Sequence, residues 1–230
     1  MAGETLKTSG IVLSIRPWSQ TSHVVTWLTL NGVITTLVKG ALRPKSAFIG
    51  QYDLFYTCEL VYYIHSSSGM HAIREASPLA MREYLRTSWR AISLAGYASD
   101  MIRDLTPHGS EAKKWFDYLT SFLDGLENCE NLMAELIRLD MSVLRLAGLA
   151  PDFSNMDNSA DWTPFSIESG RCEDTGRIIR LTPQTVRALN IPYSATQVNL
   201  AAANRFLAVF IQYHIDRPTD VRRSIVQLLS

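Results

Sequence analysis

The residues best suited to binding chemistry lie in one short loop. Between Lys39 and Ser46 the chain carries three cationic side chains, those of Lys39, Arg43 and Lys45, and no anionic one. Lysine and arginine neutralise phosphates and release the counterions that surround a polyanion. This composition is typical of a loop that follows a phosphate backbone. A solvated hairpin loop has the same composition, and the segment alone leaves both interpretations open.

Other cations and several aromatic residues accompany this loop. Arg16 belongs to the same predicted barrel, and Arg82, Arg86 and Arg90 follow at four-residue spacing, which would place them on one face of a helix. They would either extend a basic surface or form a solvated helix face. Bases stack only on exposed rings, and the nearby aromatic residues are Trp18, Trp27, Phe48, Phe55 and Tyr63. We predict that Trp27 is a core residue, whereas the strand pattern leaves Phe55 and Tyr63 undecided.

A second cationic group lies near the C-terminus. Arg217, Arg222 and Arg223 follow an apolar helical segment. Arginines beside an apolar surface are suited to an acidic, aromatic peptide tail. Helix capping and ordinary surface charge explain the same residues equally well.

Charge is distributed unevenly along a chain whose net charge is zero. Residues 1–90 have a net charge of +4, residues 91–170 of −8 and residues 171–230 of +4. A basic N-terminal part can attract a polyanion even when the whole molecule is neutral.

Sequence signatures of enzymes and metal sites are missing. The chain has no phosphate-binding glycine loop, no Gly-x-Ser-x-Gly, no His-Glu-x-x-His and no Cys-x-x-Cys. The three cysteines, Cys58, Cys129 and Cys172, are odd in number and widely spaced, which argues against a disulfide framework. We therefore expect a protein that is not an enzyme, with no catalytic residues, no cofactor and no bound metal, although a hydrolase or transferase with a dispersed site stays possible.

Composition indicates a globular protein of the cytoplasm. Of the 230 residues, 47% are hydrophobic and 19% are charged, which suffices for one large domain or two small ones. The first residues lack a basic segment followed by an apolar run, so we expect no signal peptide and no association with a membrane.

The first 76 residues predict a small barrel. Apolar runs alternate with turn signals, and Asn31-Gly32 between two such runs predicts a tight hairpin. Residues 52–65 alternate with period two, and the more apolar even-numbered positions are assigned to the interior. Five short strands suit either an OB-fold or an SH3-like barrel.

The remainder predicts helices. Ser77-Pro78 is read as a helix start, and we predict helices over 79–105, 110–126, 129–147 and 195–214, with short ones starting at Thr182 and Thr219. Residues 151–180 are read as a loop. The predicted fold class is thus α+β, with an N-terminal five-stranded OB-fold barrel in residues 1–76 and an all-helical domain in residues 77–230.

Several segments, in order along the chain, resemble the RecO family of bacterial DNA repair proteins. They are Thr8–Arg16, Ser22–Thr26, Gly32–Ala41, Arg43–Ser46, Leu146–Phe153 and Phe210–Pro218. The resemblance implies the same OB-fold and helical domain. One departure concerns the segment after Ala150-Pro151-Asp152, where many members carry two Cys-x-x-Cys pairs. Here the segment holds only Cys172, which favours packing, or partial mobility, over zinc for residues 152–180.

The resemblance also implies a function in the RecF pathway of repair and recombination. Such proteins bind single- and double-stranded DNA, anneal complementary strands, and with RecR help to load RecA onto strands coated by the single-strand-binding protein, SSB, whose acidic C-terminal tail they bind. We expect the protein in the cytoplasm and at the nucleoid during repair. By transfer, Arg43 and Lys45, then Lys39 and Arg16, are expected to contact DNA; Arg82 and Arg86 follow from charge placement. Arg217, Arg222 and Arg223 are assigned to the SSB tail. The alternatives are an OB-fold RNA-binding module and a non-enzymatic adaptor for acidic partners.

Overall fold

The structure, a computed structural model, describes residues 4–64, 69–215 and 219–229. Two compact units divide the chain, Met1–Glu127 and Asn128–Ser230. The first unit holds a five-stranded barrel and two α-helices, and the second holds four α-helices and a two-stranded sheet. The predicted fold class, an OB-fold barrel followed by helices, is confirmed. The predicted domain boundary between residues 76 and 77 stays a prediction.

The barrel consists of β1 (Thr5–Ser19), β2 (Ser22–Thr29), β3 (Gly32–Val38), β4 (Thr57–Tyr63) and β5 (Met70–Ala80). The strand order around the closed barrel is β1-β2-β3-β5-β4. All neighbours are antiparallel except β3 and β5, which run parallel. This order is that of an OB-fold, so the structure decides between the two barrels that the sequence pattern allowed.

Closure depends on a change of partner within β1. Residues 5–11 of this strand pair with β4, and residues 10–19 pair with β2. The register with β2 shifts between Val12 and Ser14, which marks an irregularity that bends the strand. Gly10 lies where the two pairings overlap, and a Cβ atom at this position would lie 2.6 Å from Leu60 Cδ1. A larger residue at position 10 would therefore displace the core.

The barrel interior contains Tyr56, Cys58, Leu60 and Tyr62, as the strand pattern predicted, but Leu54, assigned to the same face, is 40% exposed. Trp27, Cys58 and Leu60 are fully buried, and the indole Nε1–H of Trp27 donates a hydrogen bond of 2.8 Å to Thr36 Oγ1. Burial raises the pKa of the Cys58 thiol to about 12, so this cysteine stays protonated and unreactive at neutral pH. The observed strand β4 begins only at Thr57, five residues after the start predicted for it at Tyr52. Phe55 adopts a φ of 65°, outside the β region, so the strand cannot extend through this residue.

The helix predicted over residues 79–105 begins only at Trp89, and its predicted start at Ser77 is wrong. Ser77 and Pro78 continue β5, opposite Glu59 and Cys58 of β4, and the register shifts beside Pro78. Proline is tolerated in a strand at such an irregularity. A short 3-10 helix, Glu83–Arg86, follows, and α1 (Trp89–Leu105) begins after Ser88, whose Oγ accepts a hydrogen bond from the amide of Ala91. Pairing with β4 overrides the local helix signal.

Arg82 lies at the turn between β5 and the 3-10 helix, with a φ of 50°. Its side chain is 3% exposed. The guanidinium donates hydrogen bonds to Asp124 Oδ1 (2.7 Å), to the carbonyl oxygen of Phe55 (2.7 Å) and to Thr57 Oγ1 (2.9 Å). Asp124 belongs to α2 (Ala112–Gly125), so Arg82 joins the start of β4 to that helix. Arg82 and Arg86 consequently do not share a helix face, contrary to the sequence prediction.

The second unit contains α3 (Leu132–Leu146), α4 (Pro183–Asn190), α5 (Gln197–Ile215) and α6 (Thr219–Leu229). Asn131 and Thr182 cap α3 and α4 through side-chain oxygens that accept backbone amide hydrogens. The apolar faces of α3 and α5 supply the core, including the fully buried Leu136, Leu139, Leu200 and Leu207. The predicted ends and starts of these helices agree with the structure to within three residues.

The segment predicted as a loop at residues 151–180 contains most of a small hairpin, formed by β6 (Thr163–Ser166) and β7 (Ile178–Leu181). Phe153 and Phe165 pack against Phe206 and Phe210 of α5, with ring centroids 5.2–6.1 Å apart. The amide of Asp152 donates to the carbonyl oxygen of Gly170 at 2.8 Å. Aromatic packing and backbone hydrogen bonds thus hold a segment that lacks paired cysteines.

Replacing Arg82 by alanine tests its structural role. We expect Arg82→Ala to lower the free energy of unfolding by about 2–4 kcal/mol, because two buried acceptors lose a charged donor. The matched control is Arg86→Ala, which removes an exposed ion pair with Asp53 and should cost less than about 1 kcal/mol. Urea unfolding of the two variants measures both values, and equal losses would contradict the role assigned to Arg82.

Candidate nucleic-acid interface

An open depression of about 410 Å³ lies on the barrel surface beside the turn between β1 and β2. It is lined by Trp18, Ser19, Ser22, Leu37, Lys39, Gly40 and Arg43. Lys39, Gly40 and Arg43 come from the predicted cationic loop, and the rest come from β1, β2 and β3. The loop therefore forms a concave surface together with the strands, which distinguishes it from a hairpin loop that projects into solvent.

The backbone geometry of the loop places Lys39 and Arg43 on this surface. Gly40 has a φ of 68°, which a glycine adopts without strain. Its amide donates to Ser22 Oγ at 3.2 Å, and the amide of Leu42 donates to the carbonyl oxygen of Thr21 at 3.1 Å. These bonds tie the loop to the β1–β2 turn. A third hydrogen bond, from the amide of Arg43 to the carbonyl oxygen of Gly40, closes a tight turn.

The loop is held at its far end by aromatic packing on the core. Phe48 contacts Tyr52, and Tyr52 contacts Trp27, with centroid separations of 6.5 and 6.0 Å. The Tyr52 hydroxyl lies 2.8 Å from His23 Nδ1. Burial, and then the charge of Asp53, raise the pKa of Tyr52 to about 12. The hydroxyl therefore stays protonated at neutral pH.

The four cations that the family resemblance assigned to DNA contact are exposed and form no ion pair among the described residues. Arg16, Lys39, Arg43 and Lys45 are all exposed. In the part of the chain that the structure describes, none of them lies within ion-pair distance of a carboxylate. Lys7 and Arg74, by contrast, pair with Glu59 and Glu75. Of the four, Lys39 and Arg43 line the depression, whereas Arg16 and Lys45 do not. Cations that no carboxylate neutralises are suited to holding a phosphate backbone.

Arg82 and Arg86 differ from these four. The guanidinium of Arg82 is buried and hydrogen-bonded as described above, so it is not available to a phosphate. Arg86 is exposed, but its guanidinium pairs with Asp53 and contacts the Tyr56 hydroxyl at 3.1 Å. The charge of Asp53 is the main cause that raises the pKa of Arg86. The structure brings neither residue into the depression.

The arginines assigned to a partner tail differ in their exposure. Arg222 is 4% exposed, and its guanidinium lies 2.7 Å from Asp140 Oδ2 and 2.8 Å from Asn204 Oδ1, which attaches α6 to α3 and α5. The side chain cannot reach a partner without breaking this network. Arg223 is exposed and lies 3.4 Å from Asp220 on the same helix. Arg217 lies outside the described residues.

The sequence predictions omitted Trp18 as a site residue. It precedes the polar turn Ser19–Ser22 at the end of β1, and its side chain is 61% exposed, whereas Trp27 is fully buried. The position of Trp18 next to a polar turn was the available signal. Its exposure makes it the aromatic residue of the depression.

This arrangement suits reversible binding of a polyanion that carries flat apolar groups. Cations at the rim attract phosphates, and Leu37 and Trp18 offer apolar surface. Among residues 4–64, 69–215 and 219–229, no group of three or more His, Cys, Asp or Glu side chains is placed to hold a metal ion. No helix among those residues is long and apolar enough to cross a membrane.

Two family models match this sequence, and together they span nearly all of it. The model described as "Recombination protein O N terminal" matches residues 1–82, and that described as "Recombination protein O C terminal" matches residues 86–223. The chain belongs to the RecO family. The first match ends just after β5, so the barrel corresponds to the N-terminal part of the family.

Two curated relatives match nearly the full length of the chain. The chain is 27% identical to the DNA repair protein RecO of Anaeromyxobacter dehalogenans, over 98% of this chain and 97% of the relative. It is 22% identical to the DNA repair protein RecO of Alkaliphilus metalliredigens, over 92% and 94%. With the RecO of Geobacter metallireducens the match is 27% identical and covers 63% of this chain but only 59% of that relative.

Proposed function

We propose that the protein acts in DNA repair and recombination by binding single-stranded DNA on the barrel depression, without covalent chemistry. Membership of the RecO family supports the biological role. The observation that carries the binding site is the pair of exposed cations in the lining of the depression, Lys39 and Arg43, which form no ion pair in the described part of the chain. Arg16 and Lys45 are exposed and form no ion pair there either. Double-stranded DNA would be held by the same cations through its phosphates alone.

The finer activities of this proposal follow from the family. We infer that the protein anneals complementary strands and, with RecR, helps RecA to load onto strands coated by SSB. Annealing requires that a strand be held by its backbone while its bases stay available for pairing. Mobile cations with flexible stems, such as Lys39 and Lys45, bind phosphates in this manner without reading sequence.

Binding of the acidic SSB tail is proposed for the second unit. Because Arg222 is committed to Asp140 and Asn204, it would act by positioning α6. Arg223 is exposed on that helix and would contact the tail. Arg217, which lies outside the described residues, is proposed to do the same. Tyr213 is 49% exposed near the end of α5 and offers apolar surface to such a tail.

Charge reversal in the loop tests the proposed DNA site. We expect Arg43→Glu/Lys45→Glu to weaken binding of a single-stranded oligonucleotide at least about tenfold at low salt. The slope of log K against log salt should fall in magnitude by about 1.4, because each lost phosphate contact contributes about 0.7. Fluorescence anisotropy over a salt series measures both quantities.

Lys113→Glu/Lys114→Glu is the matched control, because it changes the net charge equally on α2, where both lysines are exposed and paired with acidic residues. The proposal predicts a much smaller effect there. Equal loss in the two variants would show that only overall charge matters. Much tighter binding of an RNA strand than of a DNA strand of the same length would favour an RNA-binding module.

Annealing of two complementary labelled oligonucleotides, both coated with SSB, tests the finer activity. The wild-type protein should accelerate duplex formation, and Arg43→Glu/Lys45→Glu should lose most of this acceleration because it cannot hold the strand. Resonance energy transfer between end labels follows the reaction. Absence of acceleration by a wild-type protein that binds bare single strands would remove annealing from the proposal and leave DNA binding intact.

A further inference from the structure

Trp18 is the most exposed tryptophan among the described residues. Its side chain is 61% exposed. Within that part, no other aromatic ring and no guanidinium stacks over the indole. The two other exposed tryptophans differ, because Trp89 and Trp162 lie beside the guanidinium groups of Arg90 and Arg180 at 5.5 and 4.5 Å. The indole of Trp18 is therefore both solvent-exposed and unstacked.

The surroundings of Trp18 are those of a binding surface. It shares the depression with the apolar side chain of Leu37, which is half-buried in β3, and with Lys39 and Arg43. A single exposed tryptophan on a protein surface needs no explanation. An exposed indole in a concave surface that also holds two exposed cations offers π-stacking and charge to the same ligand.

We propose that the indole of Trp18 stacks on an unpaired base of a single DNA strand, while Lys39 and Arg43 hold the phosphates that flank this base. The inference rests on the proposed DNA-binding function and deepens it by naming what selects single strands. In a duplex both faces of an internal base are covered by its neighbours, whereas in a single strand a base can turn away from the stack and present a face. Phosphate contacts alone would not distinguish the two forms.

The chemistry also predicts low sequence specificity. The depression contains two hydroxyls, from Ser19 and Ser22, and the Ser22 Oγ already accepts the amide hydrogen of Gly40. Every base has a π-face, so stacking on Trp18 would accept each of them. The site therefore suits a protein that handles strands of any sequence.

A double-mutant cycle between Trp18 and the base tests the inference. Two oligonucleotides of equal length are compared, one of thymidines and one in which abasic sites replace all thymines but the terminal ones. We expect Trp18→Ala to weaken binding of the thymidine strand at least about fivefold, the lower bound for loss of one base–aromatic stack. Binding of the abasic strand should change by less than about twofold. Trp18→Phe, which keeps a ring, should retain most of the affinity.

Trp89→Ala is the matched control, since Trp89 is 59% exposed in the same unit but does not line the depression. It should leave both affinities unchanged. Intrinsic fluorescence gives a second measurement: the thymidine strand should quench the wild-type emission, and this quenching should disappear in Trp18→Phe. An unchanged urea midpoint in Trp18→Ala would show that the variant folds, as expected for an exposed side chain.

If Trp18→Ala weakens both strands alike, or neither, the stacking inference is wrong while the DNA-binding proposal stands. If the wild-type protein binds neither strand at low salt, the proposed function itself fails. If quenching persists in Trp18→Phe, another tryptophan reports the binding and the assignment to Trp18 is overturned.

Discussion

Strand β1 has to pair with β2 and with β4 at the same time, and the geometry of the first unit depends on this double pairing. The strand does so with two overlapping parts of its length, across the irregularity at Val12 and Ser14 and past Gly10, where Leu60 leaves no room for a side chain. Because β1 closes the barrel, its last residues, Trp18 and Ser19, are held opposite the start of β2. The hydrogen bonds from Gly40 and Leu42 to that turn then place the cationic loop.

The binding property of the barrel follows from which charges are left unpaired. The chain has equal numbers of acidic and basic side chains, so its net charge predicts no attraction for a polyanion. Many arginines and lysines are used internally, as with Arg82 on Asp124 and Arg222 on Asp140, or pair with acidic neighbours on the surface. The loop from Lys39 to Lys45 keeps its charges because no acidic residue occurs in it and none of the described carboxylates approaches it. The attraction of the barrel for a polyanion therefore depends on which cations lack an acidic neighbour, and the net charge of the chain does not predict it.

The sequence predicted those elements that neighbouring residues determine, such as turns and the alternation within a strand. Asn31-Gly32 predicted the β2–β3 hairpin, and alternation placed Cys58, Leu60 and Tyr62 inside the barrel. Ser77-Pro78 misled because a Ser-Pro step is compatible with a helix start and with a strand irregularity, and the partner strand that decides is about twenty residues earlier in the chain. The burial of Arg82 and Arg222 was beyond local reasoning, since their carboxylate partners lie 42 and 82 residues away. The predicted burial of Trp27 is confirmed, whereas Trp18 was not assigned to the site although it precedes a polar turn.

Photo-cross-linking would show whether a single strand lies in the depression beside the β1–β2 turn. A thymidine oligonucleotide carrying 4-thiothymidine is irradiated with the wild-type protein at low salt, and the cross-linked peptides are identified by mass spectrometry. We expect cross-links to concentrate in peptides that contain Trp18 and in those that span Leu37 to Lys45. Cross-links confined to residues 128–229, with none in the barrel, would contradict this placement of the strand.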